Sequence, residues 1–589
     1  MFSLSRYLPF ASSTTATQAA AYLLCVCLFS ISFLVFLNSS VSFVITDLIG
    51  VKDGVGDLVG TLGFVDELVA LFACPLWGIL SDRLGVRIVC VAGYAIVGLA
   101  LFTFVQARNV YPQLLLARVL FSMGGAATAT MVTAILPSMT GGNQDHKYAN
   151  ENNIASPTDR PNVRSSISAS LNSEATITPA TYHNRLRPVP ANETEGPNKN
   201  TSSSPPRLAG LVGVFTGCGA LVSLTVFLPL PSLFSHKEGI TQGQAVADSF
   251  YVVGGISLLV SCLCFFGLRG LHGEEGKGWG LLLGRAPSSV YQPLASDENH
   301  RATRVPFLSY WRLLLDSTAL GFEDAQIGLG YLGGFVARAS SVGISLFIPL
   351  YVNAYFIRNG FCQGSPKDPS PELKKECRAA YVLAAELTGV SQLIALLCAP
   401  LFGYLSDRYR RFNIPLLSAS VLGIAGYTAF ANLESPEPTD IKGRGGSPMV
   451  FLIVSLIGIS QIGAIVCSLG LLGRGVLGDE GGYNLSGQLH DAQNPATPNR
   501  NNSSETVPLV RSVNRNIESR SRSHLKGSIA GVYSLSGGAA ILLLTKLGGY
   551  LFDSLSTGAP FYMMAAFNGV LLFIGIVVGV YRELRTRKG

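Results

Sequence analysis

The chain has 589 residues, of which 48% are hydrophobic and only 13% charged, with a formal net charge of +7. Soluble domains carry about 25% charged residues, so this composition excludes an ordinary water-soluble globule. The positive balance does not point to nucleic acid. The arginines cluster at the ends of apolar runs, as in "SDRLGVR", "SDRYRR" and "YRELRTRKG", and not on one basic face.

A bilayer core about 30 Å thick needs a helix of about 20 apolar residues. Twelve runs meet that requirement: 19–46, 57–81, 87–106, 112–139, 208–232, 247–269, 327–355, 379–405, 413–432, 448–473, 527–550 and 559–581. The first is too long for a signal-peptide core and no small-residue cleavage site follows it, so it reads as a spanning helix. The expected fold is an all-α membrane protein with twelve transmembrane helices in two pseudo-symmetric six-helix bundles, 1–269 and 327–589. The 64 glycines suit helices that approach closely in lipid.

Two polar inserts, 140–206 and 475–526, are rich in Asn, Ser, Pro and Thr. They hold too few apolar residues to offset ordering entropy and are expected to be disordered. A central linker, 270–326, separates the halves; its segment "PFLSYWRLLLDSTALGF" reads as a helix on the membrane surface. The linker also carries "YQPL" (Tyr291 to Leu294), the form of a sorting signal but a pattern common by chance.

Arg83 and Arg87, then Arg408, Arg410 and Arg411, then the tail from Arg582 to Lys588 all follow runs that end on one face. The positive-inside rule assigns that face, both termini, the inserts and the linker to the cytosol. Plasma and vacuolar-type membranes both satisfy it. Nine of the eleven cysteines lie in apolar runs, as small buried hydrophobes. Cys362 and Cys377 lie in a far-side loop, where a disulfide is expected on an oxidising side and free thiols are the alternative. The N-x-S/T triplets at Asn192, Asn200, Asn484, Asn501 and Asn502 fall in the inserts and should stay unmodified.

Two stretches nearly repeat: "LVALFACPLWGILSDR" (Leu68 to Arg83) and "LIALLCAPLFGYLSDR" (Leu393 to Arg408), identical at ten of sixteen positions. Each closes the second run of its half, so the chain reads as a duplicated bundle, a plan that transporters use. Gly78 and Gly403 leave room for another helix. Asp82 and Asp407 can face the positive end of a neighbouring helix, and Arg83 and Arg408 can reach headgroups or a carboxylate. "GILSDRLGVR" (Gly78 to Arg87) resembles the G-x-L-S-D-R-x-G-x-R signature of the major facilitator superfamily, matching at Gly78, Leu80, Ser81, Asp82, Arg83, Gly85 and Arg87. "GYLSDRYRRF" is similar to its degenerate second copy, with Arg410 for the Gly and Phe412 for the basic residue. The resemblance implies that Asp82 latches the start of the eleventh helix near Gly527 and Ser528, and that Asp407 acts likewise toward the fifth near Arg207. Arg83 and Arg87 also fit plain cytosolic anchors. "RVLFSMGGAA" resembles the family's R-x-x-Q-G-x-G pattern at Arg118 and Gly124, with Phe121 and Ser122 departing from it; that Arg is associated with proton coupling. "GVFTGCGAL" resembles the drug–proton antiporter motif, but Cys218 replaces its Pro.

Charges inside a bilayer are costly and face a cavity or a partner. Asp66 and Glu67 in the second run and Arg118 in the fourth lie at similar depths toward the outer side. Either acid can pair with Arg118, as a titrating couple or as a permanent ion pair. Adjacent acids stand about 100° apart on a helix, so one of them at most faces Arg118. Arg338 in the seventh run is placed near mid-membrane, either contacting substrate or neutralised by Glu386. Asn38, Ser39 and Gln461 line a cavity or hydrogen-bond between helices, and Lys546 snorkels outward.

The resemblance implies a secondary active transporter of a small solute working by alternating access; the intramembrane Asp66, Glu67 and Arg118 point to proton coupling, with uniport, which needs no titrating group, as the alternative. The alternative is a transporter-like receptor or scaffold acting through the inserts. No P-loop and no H-E-x-x-H pair occurs, so no enzyme activity, cofactor or metal is expected. The partners expected are the solute, protons and lipid, with no nucleic acid, and the chain is expected to be a monomer. The insert composition is that of a eukaryotic, fungal-type chain.

Overall fold

The computed structural model describes residues 9–11, 13–51, 55–140, 204–235, 241–274, 277–279, 310–359, 378–409, 413–439, 446–477 and 525–588. The Cys362–Cys377 pair, Tyr291 to Leu294, Arg410, Arg411 and the triplets at Asn192, Asn200, Asn484, Asn501 and Asn502 lie outside the described residues, as do most of both inserts.

Among the described residues, twelve helices are long and apolar enough to cross a membrane. They are α1 (Ala16–Ile49), α2 (Leu58–Leu84), α3 (Val86–Phe104), α4 (Val110–Thr140), α5 (Pro205–Phe227), α6 (Gly243–Gly267), α7 (Ala325–Arg358), α8 (Val382–Arg408), α9 (Ile414–Ala431), α10 (Met449–Leu477), α11 (Lys526–Ser554) and α12 (Ala559–Leu584). The protein is an integral multi-pass membrane protein, with no strand among the described residues. Exposed Phe72, Leu76, Leu116, Phe266, Leu397 and Phe573 show apolar faces that only lipid would accept.

Local chemistry sets the helix starts. Thr15 and Gln18 form a reciprocal cap on α1, and Thr241 and Gln244 do the same for α6. Asp324 caps α7 by accepting from Gln326 N–H at 2.9 Å. Pro205 and Pro206 open α5, where a missing N–H costs nothing. Several edges differ from the sequence reading, among them three that matter at one end of the bundle: α5 begins at Pro205, α10 runs on to Leu477, and α11 starts at Lys526. Pro205 and Pro206 at the start of α5 pack on Gly470 and Gly473 of α10, and Lys526 at the start of α11 meets Ser138 and Glu274.

The two halves share one packing plan. In the first, α3 packs on α4 and α6, α2 on α4, and α1 on α5; in the second, α9 packs on α10 and α12, α8 on α10, and α7 on α11. Wide π-helical turns recur at matched places in α5 (Ser223–Phe227) and α11 (Leu544–Gly548), while those of α1 (Ala21–Cys27 and Val44–Ile49) and α7 (Gly343–Phe347) fall at different positions along their helices. Pro75 in α2 and Pro400 in α8 are also a matched pair. Buried hydroxyls tie helices together inside each half. Tyr22 donates to Val132 O at 2.7 Å, Ser257 to Tyr94 O at 2.8 Å, and Tyr351 to Leu433 O at 2.8 Å. Between halves, α2 runs along α11 and α5 along α8.

The linker helix that the sequence suggests forms at Tyr310–Glu323. It packs on α7, α11 and α2, and Tyr331 of α7 donates to its Ser317 O at 3.0 Å.

Candidate functional site: paired gate and interior charges

The repeated phrase closes the two halves against each other at one end of the bundle. At the end of α2, the Asp82 carboxylate accepts the N–H groups of Gly527 and Ser528, each at 2.7 Å, and the Ser528 hydroxyl at 2.6 Å. These donors are the first turn of α11, whose free N–H groups and positive dipole end favour an anion. Gly78 lets this happen: a Cβ there would stand 2.9 Å from Gly531 Cα. At the end of α8, the Asp407 carboxylate receives Arg207 Nε at 2.7 Å and the Ser204 hydroxyl at 2.5 Å, both at the start of α5. Arg207 also lies over the Tyr404 ring, 5.7 Å from its centre.

The remaining signature residues are placed around this gate. Gly85 has φ +95°, a left-handed turn that suits glycine, and it opens α3. The Arg87 guanidinium sits 4.2 Å from the centre of the Phe265 ring on α6. Arg83 accepts the Gly278 N–H at 3.0 Å through its carbonyl, and Arg408 is exposed.

Deeper in the first half, Arg118 of α4 pairs with Asp66 of α2 and donates to Asn38 Oδ1 of α1 at 2.5 Å. One terminal nitrogen makes both contacts. Arg118 Nε and Nη1 and Asp66 Oδ1 are buried without a hydrogen-bond partner among the described residues. Of the two adjacent acids Asp66 is thus the one that meets Arg118, and the Ser122 hydroxyl fixes its backbone by donating to Asp66 O at 2.8 Å. Glu67 looks instead toward the second half. Leu71, one turn below Glu67, touches α11 at Gly538, and the Arg338 stem packs on the neighbouring Gly537. The α2–α11 seam therefore carries an acid from one half and a base from the other.

Residues 28–149 match the sequence profile of the Major Facilitator Superfamily. Two solved structures are similar along nearly the whole chain. The human organic anion transporter MFSD10 (TETRAN) is 13% identical, with 95% of this chain and 99% of that one covered at a TM-score of 0.50. A bacterial homologue of the iron transporter ferroportin, in an outward-facing state, is 14% identical, with 97% and 100% covered at a TM-score of 0.50. The fold is that of the major facilitator superfamily. A comparison with curated proteins finds no match.

Within this major facilitator fold, one pairing weighed from the sequence does not form. Arg338 and Glu386 are not brought together: Glu386 is exposed on the α8 face that also carries Leu393 and Leu397, while Arg338 points toward α11. Helical phase decides this, since 386, 393 and 397 share one stripe. Gln461 takes up the helix-to-helix alternative: it donates to Ser341 at 2.9 Å and accepts from Gln392 at 3.2 Å, joining α7, α8 and α10. Lys546 lies 4.1 Å from the centre of the Phe64 ring on α2. Sequence reading missed Ser204, Lys526 and Glu274, all of which join the gate. The charged phrase "GEEGKG" directly after α6 was the available signal for Glu274.

Proposed function

We propose that the protein is a secondary active transporter that moves a small solute by rocking its two halves about a central site, with proton movement as the driving couple. The observation that carries this is the pair of latches: Asp82 on α11 and Asp407 on α5, each reaching from one half to the other at the same end. Hydrogen bonds from donors to a carboxylate contribute roughly 1.5–3 kcal/mol each, enough to hold one state and few enough to be released. The Arg residues beside the latches favour the cytosol for that face, so the described state is closed to the cytosol.

Asp66 is the proton carrier in this reading. Protonation cancels its attraction for Arg118 and frees a guanidinium that already has two nitrogens without acceptors. Arg338, which makes no hydrogen bond or ion pair with any described residue, offers its donors to acceptor atoms of the solute, and Glu67 faces it across the seam. Reconstitution in sealed vesicles tests this. Solute counterflow from a broad small-molecule panel, with accumulation driven by an imposed pH gradient, is the expected result; absence of any solute movement contradicts it.

A further inference from the structure

The start of α11 is held by a second carboxylate that belongs to neither copy of the repeated phrase. Glu274 lies seven residues beyond α6, at the head of the central linker. Its Oε2 accepts the Val86 N–H at 2.7 Å, which docks the linker on the first turn of α3. Gly278 N–H donates to Arg83 O at 3.0 Å and fixes the same segment again. Gly85 makes room for this docking, since a Cβ there would lie 2.8 Å from Glu274 Oε2.

The other oxygen crosses to the second half. Glu274 Oε1 receives Lys277 Nζ at 3.0 Å and Lys526 Nζ at 2.5 Å. Lys526 is the first residue of α11, and its side chain is only 1% exposed. Its ammonium also donates to Ser138 near the inner end of α4 at 2.5 Å. Burial by itself works against a charged Glu274, but the ammonium groups of Lys526 and Lys277 outweigh it and hold the carboxyl below its ordinary range.

We propose that the central linker is a bolt on the gate, with Glu274 as a positioning residue that holds α11 shut by neutralising Lys526. Its bonds to Val86 and Arg83 stay within the first half, so they need not break when the halves rock. The Glu274–Lys526 bond spans the halves and must break. In the closed state a buried ammonium without its carboxylate is strongly unfavourable. In the open state Lys526 meets water and needs no counter-charge. Removing the Glu274 charge therefore penalises the closed state selectively and biases the protein toward opening on the gate face. The linker becomes a control element, since whatever pulls it from α3 also loosens α11. This rests on the alternating-access reading above.

The test is thiol labelling of the full chain in vesicles, with the native cysteines replaced and Ile529→Cys as reporter. Ile529 lies on the first turn of α11, is 1% exposed in the closed state and makes no bond to Asp82. A membrane-impermeant maleimide is supplied on the gate face. Glu274→Gln is expected to speed labelling at least about tenfold. In a Lys526→Met background, where no buried charge needs neutralising, the same substitution is expected to change the rate by less than about twofold. Unchanged labelling in Glu274→Gln overturns the bolt while leaving alternating access intact. Equal acceleration in both backgrounds also overturns it, because a merely distorted linker would not depend on Lys526. If the reporter is never labelled in any variant, the gate does not open and both readings fail.

Discussion

Gly403 of α8 and Gly210 of α5 meet backbone to backbone: a Cβ on Gly403 would stand 2.9 Å from Gly210 Cα, and one on Gly210 would stand 3.1 Å from Gly403 Cα. Neither contact can give way by turning a side chain. Overpacking of this kind costs about 1–3 kcal/mol, here charged only to the closed state. Gly403→Val is expected to weaken the Asp407 latch and raise gate-face labelling of a cysteine introduced at the buried Leu208 of α5 at least about fivefold. Gly389→Val in the same helix, with open space around it, is expected to leave labelling unchanged.

The Asp66–Arg118 pair separates coupling from architecture. Removing one partner of a buried pair costs about 3–5 kcal/mol, because the other charge is left uncompensated. Asp66→Asn is expected to lower the melting temperature in detergent and to abolish pH-driven accumulation. Adding Arg118→Leu is expected to recover most of the melting temperature without restoring accumulation. Recovery of both would make the pair a structural clamp with no part in coupling.

Arg338 makes the opposite prediction. It forms no bond to the described protein, so Arg338→Gln is expected to move the melting temperature by no more than a few degrees. If Arg338 binds solute, the KM for uptake is expected to rise at least about tenfold, a loss of about 1.4 kcal/mol. An unchanged KM removes Arg338 from the solute site.

The different fates of these residues show what the sequence could and could not reveal. The spans were legible because hydropathy and length are properties of each run alone. The latches were legible because "SDR" occurs twice at the ends of matched helices, so Asp82 and Asp407 identify each other. Asp66 and Arg118 could be paired by depth, but the choice between Asp66 and Glu67 depended on how α2 is rotated about its axis, which an apolar run does not encode strongly. The same blindness to rotation produced the Arg338–Glu386 expectation. Glu274 and Lys526 were invisible for another reason. Their contact joins a linker to a helix 252 positions later, and no periodicity reports a bond of that kind. The π-helical turns in α1, α5, α7 and α11 likewise left no sequence mark, although those of α5 and α11 repeat the internal symmetry.

The central claim is that the Asp82 and Asp407 latches hold two moving halves. Its most direct test is a pulsed dipolar distance measurement between spin labels at Arg269, beyond α6, and Tyr409, beyond α8, both exposed at the gate end. In lipid, the account predicts a short-distance population from the closed gate and a longer one from the open state, with Asp82→Asn moving most molecules to the longer distance. A single distance that Asp82→Asn leaves unmoved would contradict it.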